Sequence, residues 1–348
     1  MTATAATRRR VRVSAPGTVE VVTEAVPEPG PGEVLVSFRV AGVCGSDLHG
    51  LHGKHPAMPP PFYPGHEVVG TVLAGECPPG IWVGQLVTVE PPLPCGYCKM
   101  CSTGRSNICS ELEFFGCGFR EGGMADTFTV RADRLHPVPD GFTLRQAALI
   151  EPLATPVHAV ELAGGVAGKA VAIIGCGTIG LLTLAAARAG GARRVVMTDL
   201  LAAKRDIALA SGAEAVVDAA APDAPAAVKD ALGETADVVF DCVSAQPTVR
   251  SAIDMVERGG TVVLLGVPSG PLEVPAFTLQ DRQIRLQGSA TYQRADFEKA
   301  IRILGGDYVS PDRIITSAHP IRSAAGAFAA AESGDQVKVL ITADDVSL

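Results

Sequence analysis

The chain has 348 residues, 47% hydrophobic and 19% charged, a length that predicts two domains and a composition that excludes disorder and fibrous repeats. Its 38 glycines and 26 prolines are scattered, as in a loop-rich globular chain. Twenty-nine Lys and Arg against 37 Asp and Glu leave a net charge of -8, which gives no drive toward nucleic acid or anionic membranes.

The N-terminal segment MTATAATRRR leads into the alternating run VRVSAPGTVEVV instead of an apolar core, so it does not read as a secretory signal. From about residue 11 to 150, short β-like runs such as EVLVSFRV (33–40) and QLVTVE (85–90) are broken by Pro/Gly turns, which predicts an all-β or barrel-like domain. Within this stretch or at its end lie Cys44, Ser46 and His49 in VCGSDLHG, then His66 and Glu67 in PGHEVVG and Glu151 in LIEPLA. Cysteine, imidazole and carboxylate from distant points suit a catalytic zinc, which takes about three protein ligands and keeps one position open. Spacing alone leaves each of them open to a structural reading as well. Asp47 is expected to position a turn, and His52, His55, His136, His158 and Trp82 to be loop or packing residues.

Cys95, Cys98, Cys101 and Cys109 form C-x2-C-x2-C-x7-C, a spacing that can turn four thiolates toward one tetrahedral cation. Such a closed site would staple a loop, with zinc binding adding to folding free energy. An iron-sulfur cluster and a zinc-ribbon nucleic-acid module are the alternatives; the short segment and acidic chain favour structural zinc. Cys77, Cys117, Cys176 and Cys242 are expected to be buried structural thiols, and nine cysteines without evident pairing suggest a reducing, cytoplasmic setting.

From about 170 to 288 the apolar runs VAII, RVVM, AVV, DVVF, TVVLL and IRLQG alternate with Ala-rich helical stretches, predicting βαβ units and a parallel sheet. Ala170 to Ala187 carries no charge and could be scored as a membrane span, but Gly175, Gly177 and Gly180 favour a strand, a tight turn and a buried helix. These glycines, with Thr178 and Ile179 between them, form G-x-G-x-x-G in the context that a dinucleotide-binding turn requires. Asp199 ends the next apolar run, where a carboxylate would bind the adenosine ribose and repel the extra phosphate of NADP; Leu200 and Leu201 after it are not cationic. The amphipathic ADFEKAIRIL and the strand-like VKVLIT (337–342) close the chain, and this tail is expected to return to the first domain.

Taken in order, CGSDLH (44–49), GHEVVGTVLAG (65–75), the four-cysteine lobe and GCGTIG (175–180) resemble the zinc-dependent medium-chain dehydrogenase/reductase (alcohol dehydrogenase) family. EPLA is similar to its polyol (sorbitol/xylitol), threonine and butanediol dehydrogenase branch. The resemblance implies an α/β chain in which a Rossmann doubly wound parallel sheet (156–288) is inserted in a β-rich GroES-like catalytic domain (1–155 and 289–348), with a zinc lobe at about 91–112.

It implies two zinc ions per chain. Cys44, His66 and Glu67 would hold the catalytic one, with Glu151 binding directly or through water, and Cys95, Cys98, Cys101 and Cys109 the structural one. Ser46 and His49 would form a proton relay. NAD would lie against Gly175, Gly177, Thr178, Ile179, Gly180 and Asp199, with Val267 near the nicotinamide and Lys338 near the pyrophosphate, a solvated lysine being the alternative for the last.

The implied reaction is hydride transfer between a secondary alcohol (a polyol, cyclitol, amino sugar alcohol or amino alcohol) and NAD, giving the ketone. Carbonyl reduction as the physiological direction, or a non-catalytic NAD(H)-binding sensor or scaffold, are the alternatives. The expected partners are the small-molecule alcohol or ketone and further copies of the chain, as a homo-dimer or homo-tetramer, with no nucleic acid and no membrane. Two departures from the sorbitol dehydrogenase pattern, Gly50 in place of tyrosine and Thr291 in place of the arginine before Tyr292, are expected to remove bulk and charge near the pocket.

Overall fold

In the first unit, alternation in EVLVSFRVAGV makes Glu33–Val43 a strand whose every second side chain is buried, until both faces are covered at its end. The structure, a computed structural model, describes residues 6–55, 58–118 and 120–348. Glu33–Val43 is paired antiparallel with Glu67–Gly75, Thr127–Arg131 and the closing strand Lys338–Thr342. Leu86–Val89, Leu135–Pro137 and Ile315–Pro320 complete a seven-stranded sheet. Val34, Val36, Phe38, Val68, Val87 and Phe128 form part of its apolar core.

The Arg triplet lies in the hairpin Thr7–Ala15/Thr18–Ala25. Arg8 and Arg10 are buried and both pair with Glu24 and Glu121, while the Arg10 guanidinium lies 3.3 Å from the Tyr63 ring centroid.

The second unit is built from the expected apolar runs. Ala170–Ile174, Arg194–Asp199, Ala215–Asp218, Ala236–Asp241, Val256–Leu264 and Arg285–Gly288 form one fully parallel sheet, in which the first strand lies between the second and fourth. Chain direction across the sheet reverses between Ala170–Ile174 and Ala236–Asp241, and in such sheets ligands bind beyond the strand ends at that reversal. The uncharged stretch from Ala170 is this strand, a glycine turn and the helix Thr178–Ala189; among the described residues no helix is long and apolar enough to cross a membrane.

By contacts, the first unit comprises the residues through Glu151 with Ile315–Leu348, and the second Pro152–Ile314. Segment 289–314 therefore groups with the parallel sheet, where its helix Arg294–Leu304 packs on Thr178–Ala189.

Candidate active site

Strand register assembles the first site. Glu67 lies opposite Gly42 on the neighbouring strand, and Val339 lies opposite Val43 on the other side. Three adjacent strand ends therefore bring together Glu67, Cys44 and Lys338, with His66 immediately before Glu67. Ligand atoms of Cys44, His66 and Glu67 all lie within 4.8 Å of one another. Glu151, buried in the first turn of the helix Ile150–Leu162, is outside that cluster but close enough to Lys338 to favour its ammonium form.

A glycine cradle holds His66 in place. A Cβ on Gly116 would lie 2.4 Å from the His66 backbone nitrogen, and one on Gly65 would lie 2.3 Å from that of Met124. Only glycine allows these backbones to approach so closely. The short pairing of Tyr63–Pro64 with Cys117–Gly118 brings the Cys117 thiol 3.4 Å from His66 Nδ1. Cys117 thus belongs to the surroundings of the site instead of being only a structural thiol.

Asp47 does more than shape a turn. It is fully buried; one oxygen accepts from the Cys44 backbone N–H at 2.9 Å, and the other, without a hydrogen bond, lies 3.7 Å from His66 Nδ1. Burial lifts its pKa to about 6, against the attraction of His66. This carboxylate faces the Nδ1 side of the ring, a placement from which it could orient a metal-binding histidine, and Nε2 on the other side is 3.5 Å from Ser46 Oγ. Burial alone would lower the pKa of His66, but Cys117, Asp47 and Cys44 outweigh it and raise it well above the ordinary value. The donor set therefore attracts positive charge, and one thiolate with one carboxylate suits a divalent zinc.

His49 and the turn after it also belong here. The backbone N–H groups of Lys54 and His55 both donate to the His49 carbonyl, and the pKa of His55 is lowered by burial and then by His49 and His66. His55, six residues after His49, is expected from sequence to be a loop or packing residue.

Lys338 corrects an expectation. Its ammonium is buried and donates to Glu67 Oε1 at 2.8 Å, Glu67 Oε2 at 2.6 Å and the Val43 carbonyl at 3.1 Å. All three N–H groups are engaged, so none is left for a pyrophosphate. The pair crosses over Gly42, where a Cβ would lie 1.8 Å from Glu67 Oε2.

Gly50 corrects another. A Cβ there would lie 2.9 Å from the Phe62 ring, so the volume that a larger residue would need is already filled. Tyr292 is buried and packs on Phe297, their ring centroids 5.8 Å apart, and Thr291 before it has φ +48°.

The four-cysteine lobe is a second, closed site. Its sulfur separations are 3.4 Å (Cys109–Cys95), 3.6 Å (Cys98–Cys101), 3.8 Å (Cys98–Cys109) and 4.0 Å (Cys95–Cys101). Four sulfurs about 2.3 Å from a tetrahedral zinc stand about 3.8 Å apart, so this set fits the ion. Backbone N–H groups of Cys95 and Glu111 donate to Cys109 Sγ, and those of Cys101 and Ser110 pull the Cys98 thiol down to about 5, favouring the thiolate. Pro92–Leu93 paired with Glu113–Phe114 closes the base of the lobe.

In the second unit, Gly175 turns the chain with φ +96° out of its strand, and Gly177 is the N-cap of the helix Thr178–Ala189. A Cβ on Gly180 would strike the Gly175 carbonyl at 1.8 Å, whereas one on Gly177 would meet nothing within 4 Å. Gly180 is therefore required by packing, while Gly177 has open space at its Cβ position and caps a helix N-terminus, where an anion is favoured. Asp199 accepts from Cys176 N–H at 2.7 Å and Leu201 N–H at 2.9 Å. Arg205 is tied to the Asp199 and Leu200 carbonyls and to Asp218. Leu200, Val243 and Val267 are exposed on the loops after three of the strands, giving this end an apolar surface beside the polar turn.

Comparison with known proteins adds to this geometry. Residues 30–140 match the Alcohol dehydrogenase GroES-like domain, and residues 178–305 match the Zinc-binding dehydrogenase family. D-xylulose reductase A of Aspergillus niger is 31% identical over 328 residues, 90% of each chain. Sorbitol dehydrogenase of Ovis aries is 31% identical over 338 residues, 95% of each chain. The chain belongs to the zinc-binding dehydrogenase family. The solved structure of a Sinorhizobium meliloti 1021 protein, described as a zinc-binding dehydrogenase bound to NADP, is 34% identical with a TM-score of 0.90, over 97% of this chain and 99% of that one. This member of the family is a zinc-binding alcohol dehydrogenase, and the expected α/β architecture, a Rossmann-type parallel sheet with a β-rich GroES-like domain, is the one observed.

Proposed function

We propose that the enzyme oxidises a secondary alcohol of a polyol-type substrate to the ketone, with NAD accepting the hydride. The observation that carries this reading is the meeting of Cys44, His66 and Glu67 within 4.8 Å beside Ser46, in a chain similar to a sorbitol dehydrogenase and a D-xylulose reductase. Zinc held by these residues would lower the pKa of the alcohol hydroxyl and stabilise negative charge on its oxygen. Ser46 Oγ takes the hydroxyl proton, and His49 passes it to solvent, a task suited to an imidazole near neutral pH. Asp47, 3.7 Å from Nδ1, would orient the His66 ring, and Lys338 holds the Glu67 carboxylate that would also serve the metal. Glu151 is assigned to the margin of the site, where it would bind the metal directly or through its water.

The dinucleotide is assigned to Gly175, Gly177, Thr178, Ile179 and Gly180, with the ribose on Asp199 and the nicotinamide toward Val267. Asp199 repels a ribose phosphate, and Arg205, already engaged by two carbonyls and Asp218, is not free to bind one. This supports NAD over NADP, although the similar Sinorhizobium meliloti structure holds NADP. We also assign the enzyme to the cytoplasm, supported by nine free cysteines, and to a homo-dimer or homo-tetramer, supported by the open sheet edge Arg285–Gly288 and the exposed Phe277.

The test is NADH formation by zinc-replete protein against sugar alcohols, cyclitols, vicinal diols, amino alcohols and threonine, run with NAD and with NADP. The expected result is turnover of a polyol class with kcat/KM at least about tenfold higher for NAD, the effect of about 1.4 kcal/mol. Preference for NADP refutes the role of Asp199. NADH binding without turnover of any alcohol refutes the substrate class.

A further inference from the structure

Beside the glycine turn, the strand Ala236–Asp241 ends in a loop organised by one carboxylate. Asp241 is fully buried. Its Oδ1 accepts from the backbone N–H groups of Val243 at 2.9 Å and Ser244 at 2.8 Å, and its Oδ2 accepts from Thr248 Oγ1 at 2.8 Å. Its carbonyl accepts from Leu265 and Gly266 N–H, which ties the loop after Val256–Leu264 to the same residue. Ser244 is held at φ +55°, a region that a non-glycine residue enters only at a cost, so the loop is constrained against its own preference.

Two close approaches show what this constraint achieves. A Cβ on Gly175 would lie 3.0 Å from Val243 Cγ2, and one on Gly266 would lie 2.4 Å from the Val243 carbonyl carbon. Val243 therefore sits between the glycine turn and the loop that carries Val267, yet it is 46% exposed. Its free surface lies at the reversal of strand order, where a ligand on the glycine turn would rest.

We propose that Asp241 is a positioning residue for the dinucleotide: by holding Val243 and Ser244 it fixes Val243 against Gly175 and forms the apolar floor on which NAD(H) lies. This rests on the assignment of the glycine turn as the cofactor site. Without the carboxylate, two backbone N–H groups lose their acceptor, the loop relaxes from the left-handed Ser244 conformation, and Val243 leaves the floor.

NADH fluorescence titration of the zinc-replete enzyme tests the proposal. Asp241→Ala is expected to raise Kd about tenfold, whereas Asp241→Asn, which keeps the Oδ1 acceptor, stays within about twofold of the wild type. Should the alanine variant fail to fold, Thr248→Val, which frees Oδ2, is expected to weaken NADH about threefold. Unchanged affinity in the alanine or valine variant overturns the proposal, whatever happens to thermal stability, and so does an equal loss in alanine and asparagine. Gly177→Ala separates the two readings, since its Cβ has open space in the protein and meets only a bound dinucleotide. Weakened binding in Gly177→Ala with none in Asp241→Ala sinks the role of Asp241 alone; no weakening in either sinks the glycine-turn assignment too.

Discussion

Replacing His66 by alanine is expected to reduce NAD-dependent turnover by about a thousandfold or more while leaving NADH binding intact. His66 supplies the only nitrogen in the proposed three-residue ligand set; the glycine cradle fixes its backbone, and Asp47 lies 3.7 Å from its Nδ1. Losing a single preorganised group that stabilises a developing oxyanion costs about 10²–10³ in rate, and loss of the metal removes more. Zinc content should fall from two per chain to one, because the four-cysteine lobe uses no residue of this set. Elemental analysis with a turnover assay checks both; full turnover, or two zincs retained, shows that His66 is not a ligand.

The second large effect is on stability. Lys338→Met leaves the Glu67 carboxylate buried without its ammonium partner, in a pair whose side chains are 3% and 1% exposed. Removing one partner of such a pair costs about 3–5 kcal/mol, most of it the penalty of an uncompensated buried charge. Methionine fills similar volume, so packing contributes little of the loss. In metal-free protein the full cost is expected. In zinc-loaded protein the divalent charge beside Glu67 replaces the ammonium, and the variant should lie closer to the wild type and bind zinc more tightly. Denaturant unfolding of both forms, with chelator competition for affinity, reads this directly. An equal loss in both forms would show that Lys338 and the metal do not share Glu67.

What the sequence makes readable follows the distance over which each feature is encoded. The four-cysteine lobe has all its ligands within fifteen residues, Cys95 to Cys109, so spacing alone outlines its chemistry. The glycine turn is equally local, a strand, three glycines and a helix in one run. Cys44 and His66 are visible as motifs, but their meeting depends on the register Gly42 opposite Glu67, which no local pattern states. Lys338 is 271 residues from Glu67; only the pairing of the closing strand beside Val43 makes them neighbours. The resemblance places it near the pyrophosphate, whereas in the structure its ammonium is buried on Glu67.

Gly50 shows the same limit for volume. The missing side chain suggests a wider pocket, yet Phe62, twelve residues later, fills the space. Asp47 reads as a turn former because its short-range bond to Cys44 is the one that sequence suggests, while its approach to His66 is a tertiary contact. The division of the chain also depends on such contacts. Segment 289–314 follows the last strand of the parallel sheet, and its helix packs back on Thr178–Ala189, a pairing invisible to a reading by composition.

On the proposed function, one zinc held by Cys44, His66 and Glu67 would carry the oxidation, while the other would serve only the lobe. The most direct test is to follow zinc content and polyol-dependent NADH formation together as a chelator removes metal from the wild-type enzyme. Activity is expected to vanish with the first zinc lost, while the lobe remains filled, and to return when zinc is added back. Full turnover by a chain that keeps only the four-cysteine zinc would contradict this assignment.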